Sequence, residues 1–335
     1  MPQNPWISGV WYRCVWYTIW WKYMPEFTTY LARKSYMLER GLPVVDVLWY
    51  LGDEVLQRPD QLFEIHEGIK YDYCNPDALV NRMWVKDGKI RTPEGIAYSV
   101  LWIPENERML PQTLKTIRKF LRKGATVISD APLYPATLYG GKKTERKFDR
   151  LVKSIWGKAE SGKINKIGKG KLVCGMEVGE AVEALGIKPR LIAEGGKVLW
   201  NERIADGATW FFVAAPVGGP FRGKIKFLAQ GDPEIWSAVD GSRFSAEAAR
   251  EGDYISIDLD LLRSQNCFVV FRTDDHEAAP IQQNPSKGEN LAIESWSLGF
   301  PEGWGVPENL ELKDLAAWKD LNISKEGKAF SGTAT

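Results

Sequence analysis

The stretch Val44-Val45-Asp46-Val47-Leu48-Trp49-Tyr50-Leu51 is a nearly continuous apolar run that stops at Gly52-Asp53-Glu54. Branched and aromatic residues without polar alternation fit a strand buried on both faces, as in a parallel sheet covered by helices on each side. Parallel neighbours require crossover connections, so this one run points to an α/β sheet whose carboxyl edge should be functional. Asp46, the one acid within it, is either a structural hydrogen-bond acceptor or a residue directed at a neighbouring domain.

The segments that follow supply the crossovers. A short strand at Lys70 to Cys74 precedes a helical stretch from Pro76 to Met83, a hairpin over Trp84 to Thr92 turning at Asp87-Gly88, and a strand at Tyr98 to Ile103. Pro111 opens a helix that runs to Lys123 and stops at Gly124; Ala125 to Ser129 is a strand, and Arg146 to Trp156 a helix. Lys171 to Cys174 is a strand, and Val178 to Leu185 a helix closed by Gly186. Alternation of this kind predicts an open, mostly parallel α/β sheet.

After Pro189 the period changes. Strands are expected at Lys197 to Ile204, Thr209 to Ala214, Lys224 to Ala229, Glu234 to Val239, Tyr254 to Leu261 and Cys267 to Arg272, which make an all-β, sandwich-like unit. Asp274 to Glu289 is polar, carries Pro280 and Pro285, and reads as a linker; Ile293 to Phe300 and Lys328 to Thr335 read as the first strands of a further β-domain. Near the other end, Phe27, Tyr30, Leu31, Met37 and Leu38 recur at helical steps from Pro25 to Arg40, ahead of Gly41. Trp6, Trp11, Trp16, Trp20 and Trp21 crowd the residues before that helix and need a partner surface, so the chain is expected to be the middle of a larger protein.

Composition narrows the classes. The 44 basic and 43 acidic residues cancel, which leaves no global field for nucleic acid. The aromatic run between Arg13 and Lys22 is far short of the ~20 residues of a spanning helix, so no membrane partner is expected, and it lacks the order of a signal peptide. Cys14, Cys74, Cys174 and Cys267 form no C-x-x-C pair, and His66 and His276 stand alone, so no metal site is expected. Neither Cys74 nor Cys174 sits on a glycine-flanked elbow with a histidine downstream, which argues against a thiol hydrolase. The lysine- and glycine-rich stretch Lys163 to Lys171 matches no phosphate-binding spacing and reads as a solvated, flexible loop.

One segment gathers groups suited to sugar hydroxyls. In Gly68 to Asn75, Tyr71, Asp72, Tyr73 and Asn75 place phenols, a carboxylate and an amide where a strand gives way to a helix. The competing reading is that Asp72 or Asn75 caps the helix starting near Pro76. Trp20 and Trp21 join these four as candidate substrate-binding residues, by stacking on pyranose rings.

Several of these segments together are similar to the large bacterial α-L-rhamnosidases of glycoside hydrolase family 106. They are Trp20-Trp21 with Phe27 to Arg33, Leu38 to Gly41, Val45 to Leu48, Tyr71 to Asn75, Val85 to Gly88 with Thr92 to Tyr98, and Leu101 to Pro104. Glu234 to Trp236, Asp240-Gly241, Phe268 to Arg272, and Trp296 to Phe300 with Phe330 to Thr335 extend the likeness across the chain. The resemblance implies the end of a catalytic (β/α) barrel at 1–42, a flavodoxin/amidotransferase-like α/β domain at 43–188 and a β-sandwich-like domain at 189–275. A linker and the start of a jelly-roll sugar-binding-like domain would fill 276–335.

It further implies a carbohydrate substrate of plant type, hydrolysed by a carboxyl pair upstream of these residues, a periplasmic or extracellular location, and calcium in the parent protein. Glu26, Asp46, Asp53 and Glu54 fall on no catalytic motif, so the catalytic residues stay unassigned. No dense acidic loop of the Asp-x-Asp type is present to hold calcium, and no cofactor is expected in this chain, which on its own should be inactive. Two alternatives stand beside this reading: a non-catalytic carbohydrate-binding or interaction protein, and a β-galactosidase-like hydrolase.

Overall fold

Strand β1 is shorter than the apolar run that contains it. In the computed structural model, which describes residues 21–54, 65–104, 107–273, 280, 293–303, 309–330 and 334–335, β1 spans Val47–Tyr50 with all four residues buried. The residues leading into the run serve another sheet: Leu42–Pro43 pairs antiparallel with Arg203 and Ile204, and the Val44 N–H, first of the run, donates to the Glu202 carbonyl.

β2 (Tyr71–Cys74) and β3 (Val100–Trp102) flank β1, both parallel to it. β4 (Thr126–Ile128) pairs in parallel with β3. β5 (Lys163–Ile167) pairs antiparallel with β6 (Gly170–Cys174), which lies parallel to β4. The spatial order is β5-β6-β4-β3-β1-β2.

Alternation along the strands loads both faces. Leu48, Tyr50, Leu101, Val127 and Leu172 pack on one side with residues from the second and third helices; Val47, Val100, Ile128 and Val173 pack on the other with Val178, Ala181 and Val182. The helices are α1 (Met24–Glu39), α2 (Pro111–Lys123), α3 (Gly141–Trp156) and α4 (Val178–Ala184). α2 ends where the sequence predicts: Gly124 adopts φ 110°, and its N–H reaches the carbonyls of Leu121 and Phe120. α1 has the expected spacing but buries none of its described residues. The carbonyls of Glu39, its last residue, and of Arg40 and Gly41 just beyond it accept the Arg203 guanidinium at 2.7–2.8 Å.

Three local readings change. The helical stretch after Pro76 widens into a π-helix over Ala78–Arg82. The lysine-rich segment read as a flexible loop is the β5–β6 hairpin, with Ile164 opposite Val173 and Ile167 opposite Gly170. Its polarity reflects its place at the sheet edge, where exposed lysines discourage further pairing. In the last segment Trp296–Gly299 is a strand, but it pairs with Asn309–Leu312, and Lys325–Lys328 is a helical turn. Gly299 and Thr335 nevertheless exchange both backbone hydrogen bonds.

Residues up to 34 together with those from 283 form one compact unit, and residues 35–282 another. Within the second unit, two antiparallel sheets follow the α/β sheet. One orders Leu42–Pro43, Leu199–Ala205, Ala208–Ala214, Asn266–Arg272, Asp232–Trp236 and Arg243–Ser245; the other orders Leu191–Glu194, Phe221–Phe227, Tyr254–Leu261 and Ala249–Glu251. Their inward residues share one core, where the Phe227 ring meets Phe211 at 4.9 Å and Phe271 at 5.4 Å.

Candidate functional site at the carboxyl edge of the parallel sheet

The four residues singled out between Tyr71 and Asn75 separate by strand parity. Tyr71 and Tyr73 share a face with Trp49, each ring 5.2 Å from it, and Trp102 closes the cluster at 4.3 Å from Trp49. Asp72 accepts the Tyr98 hydroxyl at 2.9 Å. Burial, with the Asp72 charge adding to it, pushes the Tyr98 phenol well up, so it remains an O–H donor. Asn75 Oδ1 accepts the Ala78 N–H at 2.8 Å, which is the helix-capping role. Trp21 opens a short 3-10 turn in the other compact unit, and Trp20 lies outside the described residues.

Beside Trp49 and Trp102, along the carboxyl ends of β1, β3, β4 and β6, runs a cleft of about 690 Å³. Ser129, Asp130, Gly175 and Glu177 also line it. The turn after β4 is held from two sides: Asp130 Oδ1 accepts the Gly175 N–H at 2.6 Å, and Trp156 Nε1 donates to the Ser129 carbonyl at 3.0 Å. Cys174 borders the cleft, but burial and then the Asp130 charge raise its thiol pKa, opposite to what a nucleophile needs. Burial pushes Cys74 and Cys267 up to about 12. All three described cysteines are unpaired and buried.

The sequence reading missed Trp49, Trp102, Asp130 and Glu177 as site residues. A signal was available: each lies in the last three positions of a predicted parallel strand or within three residues beyond one, where α/β sheets place their ligands.

At the opposite edge the charges face inward. Arg190 donates from Nε and Nη2 to the two oxygens of Asp46 at 2.9 and 3.1 Å, and its Nη1 lies 3.8 Å from Glu202 Oε1. Asp46 and Glu202 are both buried. Burial carries the Glu202 carboxyl up to about 8 despite the opposing pull of Arg190, and its Oε2 has no hydrogen-bond partner. Asp46 is therefore a structural acceptor, and its donor stands immediately before the first strand of the β-rich region. Gly68 lets the chains meet there: at φ +73° its added Cβ would stand 2.2 Å from the Leu191 carbonyl oxygen, and its own carbonyl accepts the Arg190 N–H at 2.7 Å.

The remaining carboxylates raised as candidates are accounted for. Asp53 caps α2 from outside the helix, accepting the Leu110 N–H and the Thr113 hydroxyl at 2.8 Å each. Glu54 lies 3.7 Å from Arg108, and Glu26 is exposed in the first turn of α1. Among the described residues no group of three or more His, Cys, Asp or Glu is arranged to hold a metal ion. No described helix is long and apolar enough to cross a membrane.

Comparison with known proteins gives this arrangement relatives. A glycoside hydrolase 106 profile, described as alpha-L-rhamnosidase, matches residues 11–247. A Formosa agariphila protein carrying a provisional beta-glucuronidase name is 28% identical over 282 residues, which are 83% of this chain and 23% of that protein. The rhamnosidase from Novosphingobium sp. PP1Y superposes with a TM-score of 0.79 at 20% identity, over 94% of this chain and 31% of that one. The beta-galactosidase from Bacillus circulans sp. alkalophilus reaches a TM-score of 0.42 at 11% identity, over 72% of this chain and 43% of that one. The chain thus spans about a quarter to a third of the length of the first two relatives.

Proposed function

The chain belongs to the glycoside hydrolase 106 family of α-L-rhamnosidases, and on that premise we propose that it works in the hydrolysis of α-L-rhamnosides of plant-type glycans, supplying accessory domains and one wall of the sugar pocket. The family match over residues 11–247 is the observation that carries this reading. Glycoside hydrolysis takes two carboxyl groups, one to protonate the leaving oxygen and one to activate water or attack. In this reading both come from outside the chain, because Asp46 and Asp53 are engaged in holding the fold together. The strand order β2-β1-β3-β4-β6 supports a flavodoxin-like reading of the α/β domain. Tyr71 and Tyr73 remain our candidates for the pocket wall, and Trp20 and Trp21 are separate candidates for stacking on a sugar ring; Asp72 and Asn75 act through the shape of the β2 end. Work on extracellular glycans would place the protein in the periplasm or outside the cell, and any calcium would be held by residues outside this chain.

A second reading, β-glucuronidase activity, is favoured by the name of the 28% identical relative. An assay with aryl α-L-rhamnoside and aryl β-D-glucuronide separates the two. The protein in which this chain is joined to a catalytic barrel should release the aryl group from the rhamnoside alone, and the 335-residue chain from neither. Release by the chain itself overturns the accessory role, and release from the glucuronide replaces the sugar.

A further inference from the structure

We propose that the cleft beside Trp49 and Trp102 is a binding site for a neutral pyranose, and that its charge turns uronic acids away. The cleft lies at the carboxyl ends of β1 and β3, the adjacent strands from which the connections depart in opposite directions; open α/β sheets form a ligand crevice at such a reversal. Its volume of about 690 Å³ falls inside the range of small-molecule sites.

The lining divides into an apolar platform and a polar rim, which is the division a sugar ring presents. Trp49 is packed into the sheet and Trp102, tilted 48° against it, is half-buried, so indole lies where the C–H face of a pyranose would rest. Asp130 is exposed and anchored through Oδ1 by the Gly175 N–H, and Oδ2 has no hydrogen-bond partner among the described residues. An ionised carboxylate so placed accepts only, and hydroxyls are the donors that suit it. Glu177, just before α4, and Glu180, in its first turn, are both exposed and line the same cleft.

The rim also discriminates. Its described lining holds three carboxylates, Asp130, Glu177 and Glu180, and neither lysine nor arginine. A uronate would bring a fourth negative charge to a described lining that holds no cation, and like-charge juxtaposition in a partly desolvated cleft opposes binding. A deoxyhexose or other neutral sugar meets no such penalty. The inference holds whichever glycosidic bond the protein cuts, so the activity assay and the binding test fail independently.

Isothermal titration of the 335-residue chain with methyl α-L-rhamnopyranoside, and separately with sodium D-glucuronate, tests it. The rhamnoside should bind in the millimolar range, and the glucuronate about tenfold or more weaker. Trp102→Ala should weaken the rhamnoside by about tenfold. If that variant does not fold, as judged by circular dichroism, Asp130→Asn takes its place and should lower the affinity by about threefold or more. The paired change Glu177→Gln with Glu180→Gln should raise glucuronate affinity and narrow the gap between the two sugars by about threefold or more. No rhamnoside binding, unchanged binding in a folded cleft variant, or glucuronate binding as tight as rhamnoside binding would each overturn the proposal.

Discussion

At the amino edge of the parallel sheet Asp46 is buried and held through both oxygens by Arg190, whereas at the carboxyl edge Asp130 is exposed and held through one. Both residues flank strands of the same sheet and both are aspartates. What separates them is what the chain brings opposite: a guanidinium from the β-rich region on one side, a backbone N–H and a cleft on the other. A carboxylate whose hydrogen-bonding capacity is consumed by its own fold is part of the scaffold, and one with capacity left is available to a ligand. The amino edge meets the β-rich region, while the carboxyl edge faces a cavity.

The comparison breaks most visibly at Arg190. Arg190→Met leaves Asp46 and Glu202 buried without a cation and should cost about 3–5 kcal/mol of stability, measured by urea unfolding. A loss no larger than that of a surface substitution would mean that the two edges do not differ in this way. A smaller test sharpens the carboxyl side. Asp53 lies at that edge but is committed to the start of α2, so Asp53→Ala should lower stability by about 1–2 kcal/mol and leave sugar binding at the cleft unchanged. Altered binding with unaltered stability would place Asp53 with Asp130 instead.

The sheet was legible because its signals are local. The apolar run at β1, Pro111 and Gly124 around α2, and the six strands expected after Pro189 all appear within a few residues of their sequence positions. Leu42–Pro43 escaped because a two-residue edge strand leaves no periodicity to read, and β5 because exposed edges are polar. The pairing of Asp46 with Arg190 spans 144 positions, and no local pattern encodes it. Glu202 was more readable than it seemed. In Leu199–Ala205 the buried positions begin Trp200, Glu202, so strand alternation alone puts this acid on the inward face with the tryptophan. The cleft residues required both the strand ends and the order of strands, and only the first was in the sequence.

Glu202 also gives the amino edge a pH signature. Its carboxyl is raised from 4.5 to about 8 by burial, so between those values the folded chain holds a proton that the unfolded chain has released. Stability from this group is therefore complete below about pH 4.5, falls as pH rises, and is lost by the time pH passes about 8. Glu202→Gln replaces a neutral acid by a neutral amide of similar shape and should change stability at pH 6 by less than about 1 kcal/mol. Its effect appears in the slope: urea midpoints between pH 5 and 8 should decline less steeply in the variant than in the parent chain. Equal slopes would mean that Arg190 keeps Glu202 ionised throughout, and the amino edge would then be a fully charged triad in place of an ion pair beside a protonated acid.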